Sequence, residues 1–254
     1  MKFSEPIRFQ KKRKLDHCKA GDPPRGQALG ACLSPEEIPR KLKASQLFRV
    51  YTTLRKAFGH QKWWPGDTPF EVMIGAILTQ NTAWVNVEKA ILNLKKAKKL
   101  SFTALRRVPA KRLSRLIRPA GYFNVKADRL KCFLDFLDRE CRGDLSKLEQ
   151  KAMPVLREKL LAVKGVGPET ADSILLYALN KTSFVIDAYT RRIFSRHGLA
   201  KDHETYERWR EIFMQALPEN RSLYNDFHAQ IVRTGKDHCR KVPRCEKCPL
   251  RRFF

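Results

Sequence analysis

The chain has 254 residues, and 52 Lys and Arg against 26 Asp and Glu leave a formal charge of +26. A body of this size, large enough for one large or two small domains, implies a polyanionic partner when it is so basic, most simply nucleic acid. It has neither an 18-residue apolar run nor a signal-peptide core. No membrane association is therefore expected, the setting is expected to be intracellular, and the seven cysteines are expected as thiols or metal ligands, not disulfides.

Residues 1–40 carry Lys-Lys-Arg-Lys at 11–14 and then Gly-Asp-Pro-Pro-Arg-Gly, with few aromatics, which predicts a disordered basic tail. The tetrad also suits nuclear import, although such runs are common. Ser34-Pro35-Glu36-Glu37 has the chemistry of a helix start. From about Ser45 the pattern is helical: Leu47, Val50, Tyr51, Leu54 and Phe58 keep a 3.6 period, and Gly59 stops it. Lys62-Trp63-Trp64-Pro65-Gly66-Asp67 follows. Adjacent tryptophans before Pro-Gly cannot share one helix face, so at least one is expected in a loop.

Asp67 or Thr68 is expected to cap a nearly all-apolar core helix over 70–78, which ends on the polar Thr79-Gln80-Asn81-Thr82 at a crevice. An amphipathic helix then carries Trp84, Val87, Ala90, Ile91 and Leu94. Short helices are predicted at 101–107 and 109–117, a turn at 118–124, and a helix over 126–140. Further helices are predicted at 145–161, 168–179, 188–197, 204–217 and 219–234. The sole strand-like pattern is the four residues Ser183–Ile186, so the fold class is all-α.

Within Val163-Lys164-Gly165-Val166-Gly167-Pro168, the two glycines permit a tight turn with outward N–H groups, because glycine tolerates positive φ and close approach of another chain. Pro168 suits the first turn of the next helix, whose N-terminal amides form a site for a phosphate. A plain turn is the other reading. Twenty residues after Gly167 stands Asp187, before Ala188-Tyr189-Thr190-Arg191-Arg192. It reads either as a helix N-cap or as a carboxylate facing whatever phosphate or sugar the hairpin holds.

Together V-K-G-V-G-P-E-T-A and V-I-D-A-Y-T-R-R resemble the signature of the helix-hairpin-helix-Gly/Pro-Asp superfamily of DNA base-excision glycosylases, typified by endonuclease III. The resemblance extends over about 45–254. It implies two helical lobes, roughly 69–180 and 41–68 with 181–238, around a DNA-binding cleft, and a cysteine loop at 239–254. It implies that Lys164, Gly165, Val166 and Gly167 grip phosphate and that Asp187 is catalytic. The chemistry is coherent: N-glycosidic cleavage develops oxocarbenium character on the sugar, which a fixed anion stabilises, and the carboxylate can also activate water. Bifunctional members carry a Schiff-base lysine two residues after the second glycine. This chain has Glu169 there, so strand cleavage is not expected.

Trp63-Trp64-Pro65, the run I-L-T-Q-N-T-A-W and the turn R-P-A-G-Y-F-N-V-K-A resemble the branch that includes type III 3-methyladenine DNA glycosylases. That resemblance implies a base pocket of Trp63, Trp64 and Trp84, with Lys236 as a further contact. Indole faces stack well on a cationic alkylpurine. Gln80 matches the residue that fills the gap left by an extruded base. Core packing for Trp84 and a polar helix end for Gln80 are the alternatives. Where the type III pattern has a lysine this chain has Gln230.

Cys239, Cys245 and Cys248 at x5 and x2 spacing resemble the [4Fe–4S] loop of endonuclease III, but the fourth position is Phe254. Four thiolates are the usual cubane set, so the alternatives are a cluster lacking its fourth cysteine, a basic DNA-contacting loop, or zinc with His238. Cys18, Cys32, Cys132 and Cys141 read as unrelated, Cys132 as core.

The reading is therefore a monomeric, monofunctional glycosylase acting on damaged, alkylated purines in double-stranded DNA. It would work in the nucleoid of a prokaryote or the nucleus of a eukaryote. A mismatch uracil or thymine glycosylase, a glycosylase with lyase activity, and a non-catalytic damage binder are the alternatives.

Overall fold

The computed structural model describes residues 43–63 and 66–253. The basic tail, the Ser34 helix start, Cys18, Cys32, Trp64 and Phe254 lie outside that range. The described residues form α-helices and contain no strand, as expected for the all-α class. The helices are α1 (Leu47–Phe58), α2 (Pro69–Leu78), α3 (Trp84–Lys96), α4 (Phe102–Arg106), α5 (Ala110–Leu116) and α6 (Phe123–Cys141). They continue as α7 (Ser146–Glu149), α8 (Met153–Leu161), α9 (Pro168–Ser173), α10 (Ala188–Arg196), α11 (Tyr206–Ala216) and α12 (Arg221–Asp237).

The local causes are ordinary. The apolar stripe of α1 buries Leu47, Val50, Tyr51 and Leu54, and Gly59 ends the helix with φ +70°. Thr68, not Asp67, caps α2 by accepting from the Glu71 N–H at 3.1 Å, while Asp67 pairs with Lys95 at the surface. The single helix expected over 145–161 is two, α7 and α8. Pro154 stands in the first turn of α8, where its ring cannot follow a helix running on from 146–149. The helix expected from 126 starts at Phe123, because Gly121 (φ +66°) and Tyr122 (φ +45°) complete the turn sooner. Ser183–Ile186 is buried yet pairs with no strand among the described residues; it is an irregular segment passing through the core.

α9 runs on as one π-helical turn, Ile174–Ala178, at the centre of the molecule. α2 packs on α3, α6, α9 and this turn, while α1 packs on α11, α12 and the C-terminal 3₁₀ turn Pro249–Phe253. α12 packs on α10 and on the π turn. We propose the division into lobes at 69–180 and 41–68 with 181–238 on this grouping.

Buried charges hold the connections that matter. Asp172, 0 % exposed, accepts from Arg157 Nε at 2.9 Å, Arg157 Nη2 at 3.1 Å and Ser183 Oγ at 2.5 Å, with Arg210 Nε at 3.4 Å. One carboxylate thus ties α8, α9 and α11 to the segment that delivers Asp187. Asp226, on α12, accepts from Tyr51 Oη at 3.1 Å and from the Gln61 N–H at 2.9 Å, fixing the loop that leads to Trp63.

Candidate functional site

The hairpin between α8 and α9 is set by one glycine rather than two. Gly165 has φ +90°, and a Cβ there would stand 2.3 Å from Arg129 Cγ. Gly167 is extended at φ −91°, and a Cβ on it would meet nothing within 4 Å. Its contribution is an open approach, not a left-handed turn. The Val166 N–H is spent inside the turn, on Val163 O at 3.0 Å, and the Val166 side chain is buried. Among the described residues, the N–H groups of Gly165 and Gly167 donate to no acceptor, and Lys164 is exposed beside them. Two free amides and a cation form a surface suited to an anion.

Gln80, two residues past α2, is pinned to this hairpin. Its Nε2 donates to Gly165 O at 2.8 Å and to Thr170 Oγ1 at 2.9 Å, and its Oε1 accepts from Arg129 Nη1. Gln80, Asn81, Tyr122, Val125, Lys126 and Arg129 line a cleft of about 280 Å³. Lys126, 1 % exposed, forms its floor and donates to Leu78 O, Thr82 Oγ1 and Ala120 O at 2.7–2.8 Å. Burial, with Arg129 nearby, pushes the Lys126 amine down to about 8. The lysine holds the end of α2, and therefore Gln80, in place.

Asp187 is the N-cap of α10, and its two oxygens differ. Oδ1 accepts from the Thr190 N–H at 2.7 Å and Thr190 Oγ1 at 2.8 Å. Oδ2 lies 3.5 Å from His228 Nε2, beyond good hydrogen-bond length. The N-cap and carboxylate readings of the sequence are thus both compatible with the geometry, one for each oxygen. The side chain is 13 % exposed. Burial pushes its carboxyl up, but His228 and the Thr190 donors outweigh this and hold it below its ordinary value. Glu169 sits at the start of α9. It keeps an exposed surface, yet desolvation along the wall and then the Asp187 charge push its acid up to about 7. Water screens part of this shift, because the Glu169 side chain is exposed.

The remaining expected residues come from several elements. Trp63 is half-buried against the core in the loop held by Asp226. Trp84 starts α3, with its ring against Gly75 of α2 and its indole N–H on Glu88 Oε1 at 2.9 Å. No hydrogen bond or ring contact among the described residues joins either tryptophan to Asp187. Lys236 is half-buried near the end of α12. Gln230 is fully buried and donates to Gly59 O at 2.6 Å.

Cys239, Cys245 and Cys248 are neighbours: burial, and then the other two sulfurs, push the Cys248 thiol up. Among the described residues, however, no three His, Cys, Asp or Glu side chains are placed to share a metal ion. Cys239 Sγ instead accepts from Arg196 Nη1 at 3.3 Å, and the His238 ring stacks on Phe58. With a phenylalanine at the fourth position, this donor set does not fit a four-thiolate cubane. The sequence reading does not single out Lys126, Arg129, Tyr177 or His228. For His228 a signal existed, an imidazole on a helix face otherwise made of Tyr224, Phe227 and Ile231.

An all-helical body with a hairpin of free amides between two helices, and a largely buried carboxylate capping the next helix, defines a helix-hairpin-helix architecture. Residues 74–219 match the HhH-GPD superfamily of base excision DNA repair proteins. The chain belongs to that superfamily and is a DNA repair glycosylase. It is 45 % identical over 213 residues to the "Putative DNA repair glycosylase MJ1434" of Methanocaldococcus jannaschii, covering 83 % of this chain and 96 % of that one. It is similar to the H. pylori 3-methyladenine DNA glycosylase solved with 1,N6-ethenoadenine: 27 % identity, TM-score 0.67, and 77 % and 98 % of the two chains covered. An endonuclease III–DNA complex shares the fold, with TM-score 0.71 and 22 % identity over 83 % of this chain and 94 % of that one.

Proposed function

We propose that this glycosylase hydrolyses the N-glycosidic bond of alkylated purines such as 3-methyladenine in double-stranded DNA and leaves the backbone uncut, with Asp187 as the catalytic residue. The observation that carries the reading is the Asp187 carboxylate: largely buried, with its pKa held below the ordinary value, one oxygen locked into the α10 cap and the other 3.5 Å from His228 Nε2. In the reaction, the C1′–N bond breaks with its electron pair leaving on the purine. The oxocarbenium-like sugar is stabilised by the Asp187 anion, and water adds at C1′ as its proton passes to a carboxylate. A base alkylated to a cation is a good leaving group and needs little acid catalysis.

Three further observations support the parts of this reading. The similarity to the H. pylori enzyme supports an alkylated purine. Glu169 has no amine for Schiff-base chemistry, which supports a monofunctional enzyme. The free hairpin amides, Lys164 and the +26 charge support a duplex held by its phosphates. Trp63, Trp64, Trp84 and Lys236 are proposed for the base pocket and Gln80 for the gap-filling wedge. Gln80 would have to leave Gly165 and Thr170 to reach into a duplex. No step is routed through the cysteine loop.

The test is base release from methylated duplex DNA, run beside hot-alkali cleavage of the product strand. Release of methylpurines, with breaks only after alkali, is expected. Failure to release 3-methyladenine or 7-methylguanine would overturn the substrate, and uracil or thymine mismatches would be assayed next.

A further inference from the structure

Tyr177, His228 and Asp187 stand in line across three elements, the π turn, α12 and the start of α10. Tyr177 Oη lies 2.6 Å from His228 Nδ1, and His228 Nε2 lies 3.5 Å from Asp187 Oδ2. Tyr177 is 5 % and His228 7 % exposed, so neither turns to water. His228 Nε2 has no hydrogen-bond partner among the described residues. A buried imidazole nitrogen in that state is unfavourable unless it faces an acceptor, and the acceptor it faces is the one oxygen that the α10 cap leaves over.

We infer that His228, oriented by Tyr177, is a positioning residue that fixes the second oxygen of Asp187 and favours its negatively charged form. The proton placement follows from the acceptors. Burial and the Asp187 charge push the Tyr177 hydroxyl well above its ordinary value, so it keeps its proton and donates to Nδ1. With Nδ1 taken up by the Tyr177 hydroxyl, the ring N–H on Nε2 is the one that faces Oδ2. The groups facing Asp187 are Glu169 from α9, Tyr177 from the π turn, Tyr189 from α10 and His228 from α12. Two carboxyls on one wall do not both ionise freely. His228 Nε2 faces Asp187 Oδ2 at 3.5 Å and favours its charged form, while burial and then the Asp187 charge push the Glu169 acid up. A duplex closing over the site removes water that would otherwise solvate the anion, and the Nε2–H remains to hold it.

This inference rests on Asp187 being the catalytic carboxylate, and the test separates the two. The Asp187 carboxyl is titrated by ¹³C NMR, assigned by its loss in Asp187→Asn, in the wild type, His228→Phe, His228→Gln and Tyr177→Phe. The midpoint should rise by about one pH unit in His228→Phe, the scale of losing one favourable neighbour, and by less in Tyr177→Phe. In single-turnover base release, the acid limb of the pH profile should move with it. Unmoved midpoints in folded His228 and Tyr177 variants overturn the inference. If His228→Phe does not fold, Tyr177→Phe, which removes a single hydroxyl, decides by the same titration. Full activity in Asp187→Asn would overturn the catalytic reading instead, while the titration still decides whether His228 controls this carboxyl.

Discussion

Asparagine at 187 keeps an oxygen that can accept from Thr190 and removes only the charge. Asp187→Asn should therefore unfold within about 0.5 kcal/mol of the wild type, since Asn and Asp cap equally well. Its base release should fall at least about 10²-fold, the scale of removing one electrostatic contact from a transition state. Asp187→Ala loses the cap as well and should cost about 1 kcal/mol of stability. Thermal unfolding and single-turnover kinetics read the two effects apart; normal turnover in the asparagine variant would end the catalytic assignment. Glu169 has the opposite linkage to the usual acid. Its folded pKa, pushed up by burial and then by the Asp187 charge, lies above the unfolded value of about 4.3, so the folded state binds the extra proton. The associated stability is complete below pH ~4 and is lost as pH rises through the raised folded pKa. The melting temperature of Glu169→Gln should accordingly gain on the wild type between pH 5 and 7.5; a constant difference would mean that Glu169 titrates normally. Glu169→Lys would put an amine beside Asp187, and borohydride on abasic DNA should trap that variant covalently but not the wild type. A wild-type adduct would show lyase chemistry that Glu169 cannot supply.

At the scale of elements, the hairpin and the end of α2 are one mechanical unit, because Arg129 packs on Gly165 while bonding Gln80, which bonds Gly165 in turn. Gly165→Ala forces a side chain into positive φ and into Arg129. It should lose about 1–2 kcal/mol of stability from the backbone alone and weaken DNA binding with it. Gly167→Ala, extended and open, should leave the melting temperature nearly unchanged and affect DNA binding alone. Equal stability losses in the two would refute the difference drawn between them. The helices themselves were largely legible, because a 3.6-residue apolar period and caps such as Thr68 and Gly59 are local properties. What was not legible was decided at a distance. Ser183–Ile186 reads as a short strand-like run, yet the residue that fixes it is Asp172, from another element. Lys126 reads as a helical surface lysine, and only the fold brings Leu78 O and Ala120 O around it.

The same division holds for the site within the whole molecule. Gly165 and Asp187 stand out in the sequence because a turn and a cap each need a particular residue type. The Tyr177–His228–Asp187 line, whose first and last contacts join residues 51 apart or come from different helices, could not be seen without the fold. The positive charge is legible at both levels and yields a test of where DNA lies. Residues 1–40 contain nine Lys and Arg and five Asp and Glu, so +22 of the +26 resides downstream of the tail. Each phosphate neutralised contributes about −0.9 to the slope of log affinity against log salt. If the folded body makes the phosphate contacts, a chain lacking residues 1–40 should keep the slope of the full chain to within about one unit on undamaged duplex. Lys164→Ala in the same background should make the slope shallower by about one, since that lysine stands exposed beside the free hairpin amides. A slope that collapses with the tail, and does not respond to Lys164, would move the electrostatic contact off the hairpin and onto the first forty residues.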